Sequence, residues 1–567
     1  MFATALIAKL LKILKKSLYV YPGGTIAPIF HECKKGGIDL IVSKAEQGAG
    51  YMAIAESLLT REPAFVAVTS GPGATNVITC VADAYYDSIP LIVFTGQVGT
   101  ADLSRSEKIR QRGFQEVPIA DMVKKITKRA YQPKNVEQLA EVLIEGCRLS
   151  QRGRPGPVLI DLPMNLQMTN IGPDVLNSFC PEKIVEKDTE EESGKVAAQD
   201  IQAFRKLLSG SKKPLILLGG GAQQDFVIVR NFAAKYNIPI ISSMRGIGVM
   251  PTEHPLFLGW AGHTGLPWAN WAFYEADFLL VLGSRLDIRQ TGSELGVFET
   301  KKIVQVDIDV NELEHCRINQ DIAIHSTVGA FLDQVDSSGS LDVQSYDAWL
   351  KEIRAKKESM PLGDHGQGEG VRPDELLRYV NDLTKDKKSA VVTGVGSHQQ
   401  WASRYFSFDN PKKLLFTSAG HGTMGYSLPV ALGLQRLERD RLVISIDGDG
   451  SFQMNIQELA LIREHDLNVK IIVMDNSRLG IVSQFQKITF ADDPTTGDFS
   501  SPDFCLIAQG YGITARTIDS LDKSSIDQFL NSPEPSFLHV RVQKDAPVSP
   551  MLLSGQALDK MWYYDQA

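Results

Sequence analysis

One arrangement of residues in the sequence combines types and spacing suited to chemistry. Gly448-Asp449-Gly450 ends the apolar run LVISIDGDG and, from Ser451 on, opens a helix-length stretch, SFQMNIQELALIRE. Asn476 ends the next apolar run, KIIVMDN. If both runs are neighbouring parallel strands, their ends lie at one edge of one sheet. Glycines there let the backbone approach an oxygen-rich ligand closely. The N–H groups at a helix start favour a phosphate. Asp449 and the side-chain oxygen of Asn476 are hard donors suited to Mg2+, and the backbone carbonyl of Arg478 could supply a third. Diphosphate and water complete such a shell. A GDG corner alone is a common tight turn; paired with an Asx that closes the next strand it is far more specific. The chemistry expected is a metal-anchored diphosphate.

The surrounding pattern supplies the elements that such a site needs. Short apolar runs alternate with longer amphipathic stretches: FVAVTS (65–70), PLIVFTG (90–96) and PVLIDLP (157–163), then PLILLGG (214–220), FLLVLGS (278–284) and KIVQVDID (302–309), then SAVVTGVG (389–396) and the two runs above. Continuous Val/Ile/Leu runs separated by helix-length segments indicate parallel sheets covered on both faces. The expected fold is α/β, with three consecutive doubly wound parallel-sheet domains. We place them at 1–170, 190–335 and 370–545, with a C-terminal tail at 546–567. The charged run EKIVEKDTEEESGK (182–195), within 169–198, and the SSGS- and GDHGQGEG-containing stretch 336–372 read as exposed linkers. Active-site residues then belong in βα turns, at the carboxyl ends of strands.

Composition narrows the field. Of the 567 residues, 43% are hydrophobic and 22% charged, which is globular and long enough for three to four domains. A net charge of −8 gives no support for nucleic-acid or anionic-membrane binding. The six cysteines (Cys33, Cys80, Cys147, Cys180, Cys316, Cys505) form no CxxC pair, so reduced, mostly buried thiols in a cytoplasmic protein are expected. The basic, apolar N-terminus has lysines through its apolar run and no A-x-A-like cleavage site, which argues against a signal peptide. Leu6, Ile7, Leu10, Leu11, Ile13 and Leu14 fit a short amphipathic helix instead. No stretch reaches the ~18 apolar residues of a membrane span.

Blocks in order along nearly the whole chain extend the argument: YPGG (21–24), KAEQGAGYMA (44–53), SGPGATN (70–76), FQE (114–116), GRPGPVLIDLP (153–163), GSRLDIRQTG (283–292), GVGSHQQWA (394–402), GHGTMGYSLP (420–429), IDGDGSFQMNIQEL (446–459) and LGIVSQFQ (479–486). With these the sequence resembles the thiamine-diphosphate enzymes, and among them the acetolactate (acetohydroxyacid) synthase branch. The resemblance implies pyrimidine-binding, central flavin-type and diphosphate-binding domains. It also implies thiamine diphosphate, Mg2+ and a non-redox FAD as cofactors. Glu46 matches the glutamate that stabilises the protonated pyrimidine nitrogen of the cofactor, a proton-transfer role. Met424 matches the apolar wedge beneath the cofactor, and Gly422 a carbonyl facing its exocyclic amine. Gly396, Ser397 and His398 match the diphosphate loop, with Ser397 where the family more often has Gln. Gly24, Pro72 and Asn76 fall in matching blocks of the pyrimidine domain. Gln115 matches a polar group facing the reacting carbon; the absence of paired histidines there favours carboligation over release of an aldehyde. Arg289 matches an arginine that meets the second substrate's carboxylate beside the flavin, and a guanidinium fork suits that task. A salt bridge from Arg289 to Asp287 is the alternative. Gly219, Gly220, Gly246, Gly262, His263, Arg285, Asp287, Asp307 and Asp309 are the matching flavin positions.

The activity implied is decarboxylation of pyruvate and transfer of the two-carbon unit to a second carbonyl compound, a 2-oxo acid, giving acetolactate. In this superfamily Glu46 and the diphosphate site come from different chains, so a homodimer or homotetramer with shared sites follows. Besides Ser397, two further positions depart from the family: Phe485 replaces the usual Trp, and Met164 the usual Lys. These, with the tail, resemble relatives that transfer an acetyl unit to a nucleotide-linked 4-keto-sugar, which stays open as the alternative acceptor. A binding protein with a dead site is disfavoured by the joint presence of Glu46, Met424, Asp449 and Asn476.

Overall fold

The computed structural model describes residues 1–104, 106, 108–184, 195–490 and 496–564. Its strands form three six-stranded sheets in which every pairing is parallel. The first holds β1 (Leu18–Val20), β2 (Leu40–Val42), β3 (Ala64–Val68), β4 (Leu91–Gln97), β5 (Arg129–Tyr131) and β6 (Pro157–Pro163), ordered β2-β1-β3-β4-β6-β5. The second holds β7 (Pro214–Leu218), β8 (Ile240–Ser242), β9 (Phe257–Trp260), β10 (Phe278–Leu282), β11 (Lys302–Asp307) and β12 (Ile322–His325), ordered β12-β11-β10-β7-β8-β9. The third holds β13 (Ser389–Thr393), β14 (Lys413–Phe416), β15 (Leu442–Gly448), β16 (Val469–Asp475), β17 (Thr514–Ile518) and β18 (Ser536–Arg541), ordered β14-β13-β15-β16-β18-β17.

All nine runs read as strands form strands, and they occupy sheet interiors, where both faces are buried. Each sheet has an inner reversal of strand order: between β1 and β3, between β7 and β10, and between β13 and β15; the first and third sheets reverse again at their far edge, where β6 and β18 lie inside β5 and β17. The inner reversals are the switch points at which α/β sheets open a crevice for ligands. The N-terminal amphipathic helix forms at Ala5–Leu14, with Leu6, Ile7, Leu10 and Leu11 buried. Among the described residues no helix is long and apolar enough to cross a membrane.

Two stretches depart from the sequence reading. Residues 336–372 are more than a linker: Asp347–Ser359 is a helix whose Trp349, Leu350 and Ile353 are buried against the middle sheet's core. Its polar composition comes from the opposite face. In the first linker Phe179 and Ile184 are buried anchors, while 185–194 lie outside the described residues. The helix expected after GDG is also broken, since Asn455 has φ −134° and ψ 29°. Its side-chain amide donates instead to the carbonyl of Gly425 (2.8 Å).

The first and third sheets share a core. The helix Glu46–Thr60 packs on Ser427–Leu437, and a Cβ on Gly433 would lie 2.8 Å from both Ala55 Cβ and the Met52 carbonyl, so glycine sets the approach. The tail is bolted down by fully buried Arg404. It pairs with Asp364 (2.5 Å) and donates to the carbonyls of Thr264 (2.8 Å), Ser549 (3.0 Å) and Pro550 (2.7 Å). A buried ion pair needs such further bonds to offset its desolvation.

Candidate active site

A cavity opens where β13, β15 and β16 end, at the third sheet's inner switch point. It has about 470 Å³ of empty volume, and its lining includes Gly396, Ser397, His398, Met424, Gly448, Asp449, Gly450, Ser451, Asn476 and Arg478. Residues from four separated sequence blocks thus converge. The turns are tight because side chains already fill the space. A Cβ on Gly448 would lie 2.8 Å from His398 Nδ1, one on Gly450 2.6 Å from Leu479, and one on Gly480 2.9 Å from Ser397 Oγ. Gly396 has φ +153°, open to glycine at little cost. Ser451 Oγ accepts the Gly425 N–H (3.0 Å) and so ties the Met424 loop to the GDG turn.

The donor set fits a metal-bound diphosphate. Ser397 Oγ is buried without a partner among the described residues, as is unusual for a polar atom unless a ligand completes it. His398 Nε2 lies 3.3 Å from Asp447 Oδ1 but outside hydrogen-bonding geometry. Asp449 lies against Asp475, and Ser501 Oγ bridges them, 3.3 Å from Asp449 Oδ2 and 2.9 Å from Asp475 Oδ1. Burial and then the Asp475 charge push the Asp449 carboxyl up. Asp475 is also opposed by burial, yet His539 (Nε2–Oδ2 2.8 Å) and Asp449 hold it well below the usual carboxylate range. A divalent cation is the group that would let both ionise. Among the described residues no cluster of three or more His, Cys, Asp or Glu could hold a metal ion; Asp449 and Asn476 offer one carboxylate and one amide oxygen. Arg478 lines the cavity while its guanidinium pairs with Asp498 and Asp545 (3.1 and 2.9 Å), leaving its backbone carbonyl as the candidate ligand.

The N-terminal candidates lie elsewhere. Glu46 begins its helix, is buried, and accepts a bond from Asn76 Nδ2 (3.1 Å). Pro72 opens the helix Pro72–Asn76, and Gly24 begins a single 3-10 turn after β1. Gln115 has φ +65° and packs against Gly71, whose Cβ would lie 2.8 Å from that of Gln115. None of these lines the cavity formed by their own chain's third sheet.

The flavin candidates gather at the switch point of the middle sheet. A Cβ on Gly219 would overlap the Gly283 carbonyl, and one on Gly246 the Leu218 carbonyl, so the end of β7 touches the turns after β10 and β8 backbone to backbone. Gly220 begins the 3-10 turn Gly220–Ala222. Gly262 has φ +140°, and His263 Nδ1 lies 3.2 Å from Arg289 Nη1. Burial, then Arg289 and Arg404, push His263 down to about 4. Asp287 pairs with Arg285 (3.2 Å), while its Oδ1 accepts the Arg289 N–H (2.8 Å). The guanidinium of Arg289 is thus turned to His263, not to Asp287. Asp307 accepts the Asp309 N–H (2.9 Å), and Asp309 is held by Arg154 of the first sheet's domain (3.2 Å).

Several supporting residues escaped the sequence reading. Ser418 Oγ donates to Asp83 (2.8 Å) and accepts the N–H groups of Gly422 and Thr423 (2.9 Å each), fixing the loop before Met424. Asp87 accepts the N–H groups of Ala419 and Gly420 (3.1 and 2.9 Å). Asp475, Ser501 and His539 form a linked group behind the candidate ligand Asp449. Of these, only Asp475 had a local signal, its adjacency to Asn476.

Comparison with known proteins agrees with this architecture. Three family profiles match: "Thiamine pyrophosphate enzyme, N-terminal TPP binding domain" over residues 1–123, "Thiamine pyrophosphate enzyme, central domain" over 201–335, and "Thiamine pyrophosphate enzyme, C-terminal TPP binding domain" over 394–540. The acetolactate synthase large subunit of Lactococcus lactis subsp. lactis is 35% identical over 552 residues, covering 96% of this chain and 93% of that one. The acetolactate synthase isozyme 2 large subunit of Escherichia coli is 32% identical over 553 residues, covering 96% of each. The chloroplastic acetolactate synthase 1 of Oryza sativa subsp. japonica is 33% identical over 561 residues, covering 96% and 85%. The chain belongs to the acetolactate synthase family of thiamine pyrophosphate enzymes.

Proposed function

We propose that this protein decarboxylates pyruvate and joins the remaining two-carbon unit to a second 2-oxo acid, giving acetolactate. The observation that carries the reading is the cavity at the β13–β15–β16 edge, in a chain that aligns almost end to end with acetolactate synthases. When bound, thiamine diphosphate supplies the nucleophilic carbon and takes up the electrons released with CO2. The protein supplies position and electrostatics. Asp449, Asn476 and the Arg478 carbonyl would hold Mg2+, and Ser397, His398 and the N–H groups of the Gly448–Ser451 turn would bind the diphosphate. Met424, which lines the cavity, would support the cofactor. Glu46, from a second copy in a homodimer or homotetramer, holds the proton at the pyrimidine ring nitrogen. Gln115 and Arg289 receive the acceptor, and the surrounding chain excludes water that would divert the reaction to aldehyde release. The glycine turns of the middle-sheet crevice, with Arg285, Arg289 and Asp307, would hold FAD, which would have no redox role. The chain works in the cytoplasm, in domains spanning 1–170, 190–335 and 370–545.

The names of the relatives favour a 2-oxo-acid acceptor and give no support to a keto-sugar. The test is product analysis with thiamine diphosphate, Mg2+, FAD and pyruvate, with and without a nucleotide-linked 4-keto-sugar. Acetolactate from pyruvate alone, unchanged by the sugar, is the expected result. An acetyl-bearing sugar with little acetolactate would overturn the acceptor, and no CO2 release from any 2-oxo acid would overturn the activity. A flavin absorbance band in the purified protein tests FAD separately.

A further inference from the structure

The helix that begins with Glu46 lacks a side-chain cap of its own: its N-cap is Ala45, which has none to offer. The missing acceptor comes from the other end of the chain. The N–H of Lys44 donates to both oxygens of Glu458 at 3.2 Å, and the N–H of Ala45 points at the same carboxylate. Glu458 is fully buried, and burial pushes its carboxyl up to about 7 against the pull of those N–H groups. Gly48 shows how tight the fit is. A Cβ there would overlap the Glu458 carboxylate, although glycine inside a helix costs about 1 kcal/mol relative to alanine. A second tie joins the same segments, Lys44 Nζ to Glu464 Oε1 at 2.6 Å. Glu458 reaches this place because the run opened by Asp449 is kinked at Asn455.

We propose that Glu458 is the positioning residue for Glu46, a carboxylate clamp by which the diphosphate half of each chain fixes the proton-transfer glutamate of its pyrimidine half. The inference rests on the shared-site reading above. It adds a consequence: the segment that begins at the metal of one site ends on the group that serves the other. Glu458 touches neither cofactor nor substrate, and it acts in cis on Glu46 and in trans on catalysis.

The first test needs no cofactor. In the apo protein above about pH 8, where the Glu458 carboxyl is ionised, Glu458→Gln, which keeps the side-chain shape, is expected to speed amide hydrogen exchange at Lys44 and Ala45 about tenfold or more, since one charged acceptor becomes a weaker neutral one. Gly48→Ala should do the same from the opposite side, guarding against a folding defect peculiar to Glu458→Gln. Unchanged exchange in both variants overturns the clamp. In the loaded enzyme, Glu458→Gln should slow deuterium exchange of the cofactor's thiazolium proton about tenfold or more, with the dissociation constant for thiamine diphosphate and Mg2+ unchanged. Weakened cofactor binding with normal proton exchange would make Glu458 part of its own chain's cradle and overturn the proposal. Hybrids then separate cis from trans. Dimers pairing a Glu46→Gln chain with a Glu458→Gln chain should stay impaired, because each chain offers a defective Glu46. Recovery of one normal site per hybrid overturns the clamp. The reference hybrid, Glu46→Gln with Asp449→Ala, should regain activity; if it does not, site sharing fails, and the apo exchange result alone decides the clamp.

Discussion

The metal and diphosphate cradle and the Glu46 region are built on opposite principles. The cradle is complete within one chain: turns after β13, β15 and β16 bring Ser397, Asp449 and Asn476 into one cavity. Glu46 is equally buried and equally well braced, yet it lines no part of that cavity. Adjacent parallel strands are enough to assemble the first. On the shared-site reading proposed above, the second is one half of a site whose counterpart comes from another copy. Binding of the cofactor's anionic end and activation of its reactive end are therefore separable properties.

Substitutions should expose that separation. Glu46→Gln removes a proton-transfer group while preserving shape, so turnover should fall by about 10²–10⁴-fold with folding and metal-diphosphate affinity retained. Near-normal turnover would break the comparison. Asp449→Ala should lose Mg2+ and cofactor together in titration calorimetry, a defect in binding rather than in the proton step. Ser397→Ala removes one unpartnered buried hydroxyl from the cradle; a loss of about 1 kcal/mol should weaken cofactor binding several-fold. Unchanged affinity would detach Ser397 from the diphosphate.

The smallest effect concerns the middle sheet. His263 is held down to about 4, by burial first and then by Arg289 and Arg404, against 6.5 in the unfolded chain. As pH falls below 6.5 the unfolded chain gains a proton that the folded protein refuses, so this group's contribution is present above 6.5 and is lost between there and about 4. His263→Asn should flatten the acid limb of stability in denaturant titrations over that window. An unchanged limb would assign the acid sensitivity to other groups.

What the sequence revealed follows the range of the interactions involved. The nine interior strands were legible because burial on both faces leaves continuous apolar runs. Edge strands such as β2, β5 and β12, short and partly exposed, carry no such signal. Asp449 and Asn476 could be paired because each closes a strand and the strands are neighbours. Asp83, Glu458 and His539 act through contacts far apart in sequence, which no spacing rule reaches. The linker at 336–372 misled because the helix Asp347–Ser359 buries one narrow face, and its charged remainder dominates the composition.

The claim on which the rest depends is that one site takes Glu46 from one copy and the cradle from another. Two inactive variants, Glu46→Gln and Asp449→Ala, test it directly when co-expressed with different tags and purified as the hybrid. The hybrid should recover acetolactate formation, since one of its two sites combines an intact Glu46 with an intact Asp449. A hybrid as inactive as its parents, though assembled, would place both residues in the site of a single chain.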